Sequence, residues 1–187
     1  MNRPALRFLA ILKRLDNYFL HAINSTNSQE KEIYLSYITI KIHDQWNFRS
    51  KQVVLNNYGK SDREMTQELR TQWSPTKTMP ATWELDWHIP SNAIRAGRIL
   101  NIRNLNDVQN ALGAATFIDD IRWTRNAIVH NISKSFSKYR HMILSKYRLQ
   151  NIPPYQLITE INPATGNTIY QDWCDELFSV LSVSYKQ

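Results

Sequence analysis

Arg125 and His130, the ends of the run Arg125-Asn126-Ala127-Ile128-Val129-His130, are the residues whose types and spacing could do chemistry in this chain. An imidazole titrates near neutrality and can take or give a proton. A guanidinium is a permanent cation whose forked donors grip anionic oxygens. On an ideal helix at ~100° per residue, with Phe117 at zero, Phe117, Ile118, Ile121, Ile128 and Val129 span roughly 0–120°, and Arg125 falls inside that apolar arc at ~80°. Asp119, Trp123, Asn126 and His130 share the opposite sector at roughly 180–240°, with Asn126 and His130 adjacent as an i, i+4 pair. A buried unpaired charge is costly, so Arg125 must have an anionic partner, snorkel or face a cleft. One reading pairs it with Asp120 or Asp44 and leaves His130 solvated. The other makes Arg125 and His130 a chemical pair. At ~140° apart, the two then converge only if the helix deforms or a second subunit closes the site.

Few other residues compete. The carboxylates of the motif region are Asp119 and Asp120, facing ~100° apart, too few for a two-metal nuclease site, and no metal or other cofactor is expected. His21, His43, His88 and His141 have no metal-ligand spacing and read as surface or packing residues. The single cysteine, Cys174, lies in an apolar stretch as core filler, excludes a disulfide framework within the chain and suits a reducing compartment. Gly113 stands without a glycine-rich phosphate loop. Arg49 reads as solvated or ion-paired, with a phosphate contact as the lesser alternative.

The 187 residues carry 23 Lys+Arg against 16 Asp+Glu, a net charge of +7. The excess is regional, because residues 91–150 hold ten basic and three acidic side chains. From Ile121 to Thr159 there is no carboxylate, while Arg122, Arg125, Lys134, Lys138, Arg140, Lys146 and Arg148 all fall there. A field of that sign favours phosphate-rich partners. Lys134, Lys138, Arg140, Lys146 and Arg148 read as a solvated basic face, with contact to an RNA backbone as the alternative.

The elements that must position these residues read as helices. With 4 glycines, 7 prolines and 42% hydrophobic residues, the composition argues for an ordered helical domain and against a turn-rich all-β fold. Ala5, Phe8, Leu9, Leu12, Leu15, Phe19, Ala22 and Ile23 recur at helical spacing on one face, and Lys13 and Arg14 interrupt what would otherwise resemble a leader. No run reaches the ~18 apolar residues of a membrane span, so a cytoplasmic protein with no membrane partner is expected. A long helix from about Gln29 to Tyr58 ends at Gly59, with apolar and aromatic residues around most of its circumference. Ser61-Asp62-Arg63-Glu64 has the capping-box pattern and starts a short helix to about Trp73. The connection over 74–90, with Pro75, Pro80 and Pro90, is pinned by Trp83 and Trp87. Helices follow at about Asn92–Ile102 and Asn106–Leu112. Thr116-Phe117-Ile118-Asp119 opens the motif helix, which runs through His130 to a break near Asn131–Ser133 and on to about Tyr147. Tyr155–Ile161 and Thr168–Tyr170 flank Asn162-Pro163-Ala164-Thr165-Gly166-Asn167 as a small β-hairpin, and a last helix runs from about Asp172 to Val183. No repeat or second domain is visible, so 1–187 reads as one domain.

The Arg-Asn-x3-His run resembles the Arg-x4–6-His signature of the HEPN superfamily (higher eukaryote and prokaryote nucleotide-binding), in the form where Asn follows the Arg. Six residues carry the resemblance sharply. The layout around them, an acidic-apolar helix before and a basic helix after in a small helical chain, extends it over about residues 1–150. It implies an all-α, up-and-down helical bundle that dimerises so that two motifs line one cleft. It also implies a metal-independent endoribonuclease acting in toxin–antitoxin, phage-defence or RNA-processing systems. In that case His130 handles the proton of the 2′-OH or of the leaving 5′-oxygen, Arg125 stabilises charge on the scissile phosphate and Asn126 orients the phosphate or the pair. The products are a 2′,3′-cyclic phosphate and a 5′-OH. Arg122, Lys134 and Lys138 are then the RNA-binding residues, and an antitoxin or other defence-system protein is a further partner. In toxins paired with a nucleotidyltransferase a tyrosine follows the histidine by two; here that position is Ile132, which argues against control by modification there. Some members of the superfamily are catalytically inactive RNA- or nucleotide-binding modules or interaction modules, and that is the alternative reading.

Overall fold

The limits of several helices are set by local capping chemistry. The computed structural model describes residues 3–74, 76–130 and 132–183, without the side chains of 3–5 and 181–183. Pro75 of the proline-containing connection, Asn131 of the expected break and the side chain of Ala5 therefore lie outside the described residues. Helix α1 spans Arg3–Asn24 and α2 spans Ser28–Tyr58. Asn27 Oδ1 accepts from the backbone N–H groups of Gln29 and Glu30 at 3.0 and 3.2 Å, satisfying free donors at the start of α2. Gly59 takes φ +76° at the other end, a left-handed conformation open to glycine at no steric cost. Helix α3 (Asp62–Gln72) carries the full capping box, with Ser61 and Glu64 each bonding the other's backbone N–H. Helices α4 (Pro90–Ile99), α5 (Leu105–Gly113), α6 (Ile118–His130) and α7 (Ser133–Lys138) follow. Beyond them lie a π-helical turn (Tyr139–Leu144), the short α8 (Ser145–Tyr147), a 3-10 turn (Gln156–Thr159) and α9 (Ile169–Val183).

The fold is all-α, and the expected β-hairpin does not form. Among the described residues its only trace is one isolated antiparallel bridge, Ile161 to Thr168. The turn signals were real, but they serve a helix start. Thr168 and Gln171 make a reciprocal cap at 3.1 and 3.2 Å, so α9 begins at Ile169 rather than near Asp172. The buried Asp172 carboxylate then accepts from Asn162 Nδ2 (2.6 Å), Thr165 Oγ1 (2.7 Å) and Asn167 Nδ2 (3.1 Å), folding the loop onto the first turn of α9. On the other side, residues 156–159 coil into the 3-10 turn instead of extending.

The chain divides into two compact units, one formed by Met1–Asp44 with Thr116–Phe178 and the other by Gln45–Ala115 with Ser179–Gln187. In the first, α1 buries Phe8, Leu12, Leu15, Phe19 and Ala22, while Ile23, expected on that face, is exposed. Phe19 stacks on Tyr170 at 4.3 Å, and Tyr170 donates to Asp16 at 2.7 Å. In the second, Trp46 Nε1 donates to the His88 carbonyl at 3.0 Å, and the buried Trp87 anchors the connection before α4. Trp83 is half-buried against Trp73. Helix α2 buries one stripe, Leu35–Ile38–Ile42–Trp46–Val53, and exposes Ile33 and Phe48; its other apolar residues do not make it buried all round. Among the described residues, no helix is long and apolar enough to cross a membrane.

Candidate functional site

Helix α6, which carries the motif, is held at its start and along its length by residues distant in sequence. At its start, Glu176 of α9 accepts from Thr116 N (2.6 Å), Thr116 Oγ1 (2.5 Å) and Phe117 N (2.7 Å). A carboxylate there complements both the free N–H groups and the positive end of the helix dipole. Thr116 stands at the expected opening of the helix, and its hydroxyl also donates to Glu176. One turn further on, Asp120 is buried and accepts from Lys146 Nζ and Tyr147 Oη, each at 2.6 Å. Burial pushes the Asp120 carboxyl above its ordinary range, and the bonds from Lys146 and Tyr147 offset only part of that. Burial likewise drives the Tyr147 hydroxyl well up, reinforced by the Asp120 charge beside it. Lys146, read from sequence as part of a solvated face, is thus committed to Asp120.

The buried face of α6 comprises Ile118, Asp120, Ile121, Thr124 and Ala127. It is rotated from the arc drawn on the sequence: Val129 is exposed, and Arg125 stands half-buried at the margin. Here the geometry corrects the expectation that Arg125 and His130 meet only through helix distortion or a second subunit. Within one chain, Arg125 Nη1 lies 3.2 Å from His130 Nε2 and donates to Asn126 Oδ1 at 3.1 Å. The ~140° between their positions describes where side chains leave the helix; the three-methylene stem of arginine carries its head round to the last turn. Neither expected carboxylate partner is used, since Asp120 holds Lys146 and Tyr147 and Asp44 pairs with Lys41 at 3.6 Å. Among the described residues, the buried Nε of Arg125 has no hydrogen-bond partner.

The other expected residues are distributed unevenly. Arg122 pairs with Asp119 at 2.8 Å and lies 4.6 Å from the centre of the Trp123 ring. Lys138 sits on the same ring at 4.0 Å. Lys134 is exposed on α7. Helix α6 ends at His130 and α7 begins at Ser133, with Ile132 extended between them, so the break falls where expected. Arg49 is buried and belongs to the second unit, which overturns the solvated half of its reading and leaves the ion-paired half open. Cys174 is buried, and its thiol is pushed up to about 12 by that burial, as core filler would be. His21 pairs with Glu30 at 3.0 Å. Among the described residues, no group of three or more His, Cys, Asp and Glu side chains could hold a metal ion.

One feature escaped the sequence reading. A groove of about 650 Å³ is lined by Ser133, Phe136, Ser137, Arg140 and His141, where α7 passes into the π-helical turn. In the sequence, Arg140 stands out only as part of a basic face and His141 as a surface or packing histidine, because a π-turn leaves no distinct residue pattern. In comparisons with known proteins, no family model, no curated protein and no solved structure matches this chain.

Proposed function

We propose that this chain is a metal-independent endoribonuclease of HEPN type, an up-and-down helical bundle that works as a homodimer with Arg125, Asn126 and His130 at its reaction centre. The observation that carries the reading is the convergence of these three side chains, with one guanidinium nitrogen within 3.2 Å of both Asn126 Oδ1 and His130 Nε2. His130 takes the proton of a ribose 2′-OH. The 2′-oxygen then bonds to phosphorus, the P–O5′ bond breaks, and a 2′,3′-cyclic phosphate and a 5′-OH result. Arg125 meets the charge that grows on the non-bridging oxygens, where an oriented cation has most effect. Asn126 holds the guanidinium in place.

The leaving 5′-oxygen needs a proton while the 2′-oxygen loses one, and a single imidazole does not serve both at once. A second copy supplies the second. The exposed apolar residues Val129 and Ile132, on either side of His130, suit a surface that another copy covers. A genetic setting in toxin–antitoxin or phage defence, with an antitoxin or effector partner, follows from the same resemblance.

The test is cleavage of single-stranded RNA in EDTA by the wild type and by His130→Ala. The variant should lose about 100- to 10,000-fold in rate, the span of general acid–base catalysis. Cleavage that needs a divalent metal, or equal rates in the two proteins, overturns the proposal. Salt-sensitive RNA binding with no cleavage would leave the binding-module reading in its place.

A further inference from the structure

The geometry points to a nucleobase-stacking subsite on Trp123, in which a base beside the scissile phosphate stacks on the indole and Lys138 moves from the ring to the neighbouring phosphate; this rests on the endoribonuclease reading. Trp123 lies seven residues before His130 and three before Asn126 on one helix, which places the three on the same side of α6. Seven residues rise about 10 Å along the helix, so a base on the ring and a phosphate at Asn126 and His130 stand close enough for one strand to reach both.

The Trp123 ring is half-buried, and the contacts recorded over it are with two cations. Lys138 lies 4.0 Å from its centre and Arg122 lies 4.6 Å from it. Arg122 is also tied to Asp119 at 2.8 Å, whereas the Lys138 side chain is exposed and no carboxylate is paired with it among the described residues. A solvent-exposed cation on an indole is a weak contact, and a stacked base is a stronger one. The exchange therefore favours RNA twice: the base replaces the ammonium on the ring, and the ammonium gains a phosphate. Every base has a π-face, so this subsite strengthens binding of single strands with little choice of sequence, and it disfavours duplexes whose bases are already stacked.

The experiment separates binding from cutting by working in EDTA with the His130→Ala protein as parent. A fluorescein-labelled single-stranded RNA is titrated with the parent, with Trp123→Phe and with Trp123→Ala added to it. Anisotropy reports affinity, and tryptophan emission reports contact with the ring. Trp123→Ala should bind about 5- to 150-fold more weakly, and Trp123→Phe should retain most of the affinity. RNA should quench tryptophan emission in the parent, and the part owed to Trp123 should vanish in Trp123→Phe, whose aromatic replacement keeps the packing. Lys138→Ala should weaken binding at low salt, with the difference narrowing as salt rises. Equal affinity of the parent and Trp123→Ala, unchanged quenching in Trp123→Phe, or no RNA binding by the parent overturns the inference. Failure of the wild type to cut RNA would sink the endoribonuclease reading instead, and the binding result for Trp123 is read independently of it.

Discussion

Glu176 is the residue through which α9 holds the start of the motif helix, and its removal should be felt both in stability and at the site. Its carboxylate accepts three hydrogen bonds, from Thr116 N, Thr116 Oγ1 and Phe117 N, at 2.5–2.7 Å. A hydrogen bond to a charged group contributes about 1.5–3 kcal/mol, and an anion at a helix N-terminus adds about 0.3–1 kcal/mol. The three bonds share one carboxylate and do not add. Thr116 is exposed, so water can replace part of what is lost. Glu176→Ala should therefore cost about 2–3 kcal/mol, which for a chain of this size lowers Tm by roughly 4–12 °C. Glu176→Gln keeps an oxygen acceptor but loses the charge and should cost about 1 kcal/mol, or roughly 2–4 °C. Differential scanning calorimetry measures both. If RNA is cut as proposed, kcat should fall in the Ala variant more than in the Gln variant, because Arg125 and His130 ride on the helix whose entry has been loosened. A change in Tm below about 1 °C for Glu176→Ala would refute the reasoning, since it would mean that solvent serves those N–H groups as well as the carboxylate does.

Two further carboxylates give distinct outcomes. Asp120→Ala strands the buried Tyr147 hydroxyl while the half-exposed Lys146 returns to water, so a loss of about 2–3 kcal/mol is expected in urea denaturation. Because burial raises the folded-state pKa of Asp120, its contribution is fully present below the unfolded-state value and is lost as pH rises through the folded-state one. The stability of the wild type relative to Asp120→Asn should accordingly fall on going from about pH 3 towards neutrality, and a difference that grows with pH would contradict the assignment. Asp172→Ala removes the acceptor for Asn162, Thr165 and Asn167; the loop should open to proteolysis with a loss of about 2–4 kcal/mol, and unchanged cleavage within residues 162–167 under limited proteolysis would count against it.

What could be read from the sequence was what is local. Gly59 ends α2 and Ser61 with Glu64 opens α3 because each cap is completed within a few residues. The false hairpin came from the same kind of signal. Asn162-Pro163-Ala164-Thr165-Gly166-Asn167 does reverse the chain, but Asp172, ten residues after Asn162, decides that the reversal feeds a helix. Glu176 capping α6 across 60 residues and Lys146 reaching Asp120 across 26 leave no periodic trace. At the site, the residue types were legible and their meeting was not. Angular spacing tracks the Cβ direction, which suffices for short side chains such as Asn126 and fails for an arginine able to curl along the helix.

The contact between Arg125 and His130 also bears on which step His130 performs. A guanidinium has donors only, so the 3.2 Å bond to Nε2 exists only while that nitrogen carries no proton. In the proposed reaction, a contact in which Arg125 donates and Nε2 accepts suits His130 to the part of the base. Once the nitrogen has taken a proton it must release Arg125, and the freed guanidinium N–H turns to whatever negative charge is nearest, which in the proposed reaction is the phosphate that has just gained it. In the proposed reaction, proton transfer and stabilisation of the phosphorane would thus be linked through one hydrogen bond. The same contact would make this imidazole a poor first choice for the acid that protonates the 5′-oxygen, a role the proposal gives to the His130 of a second copy.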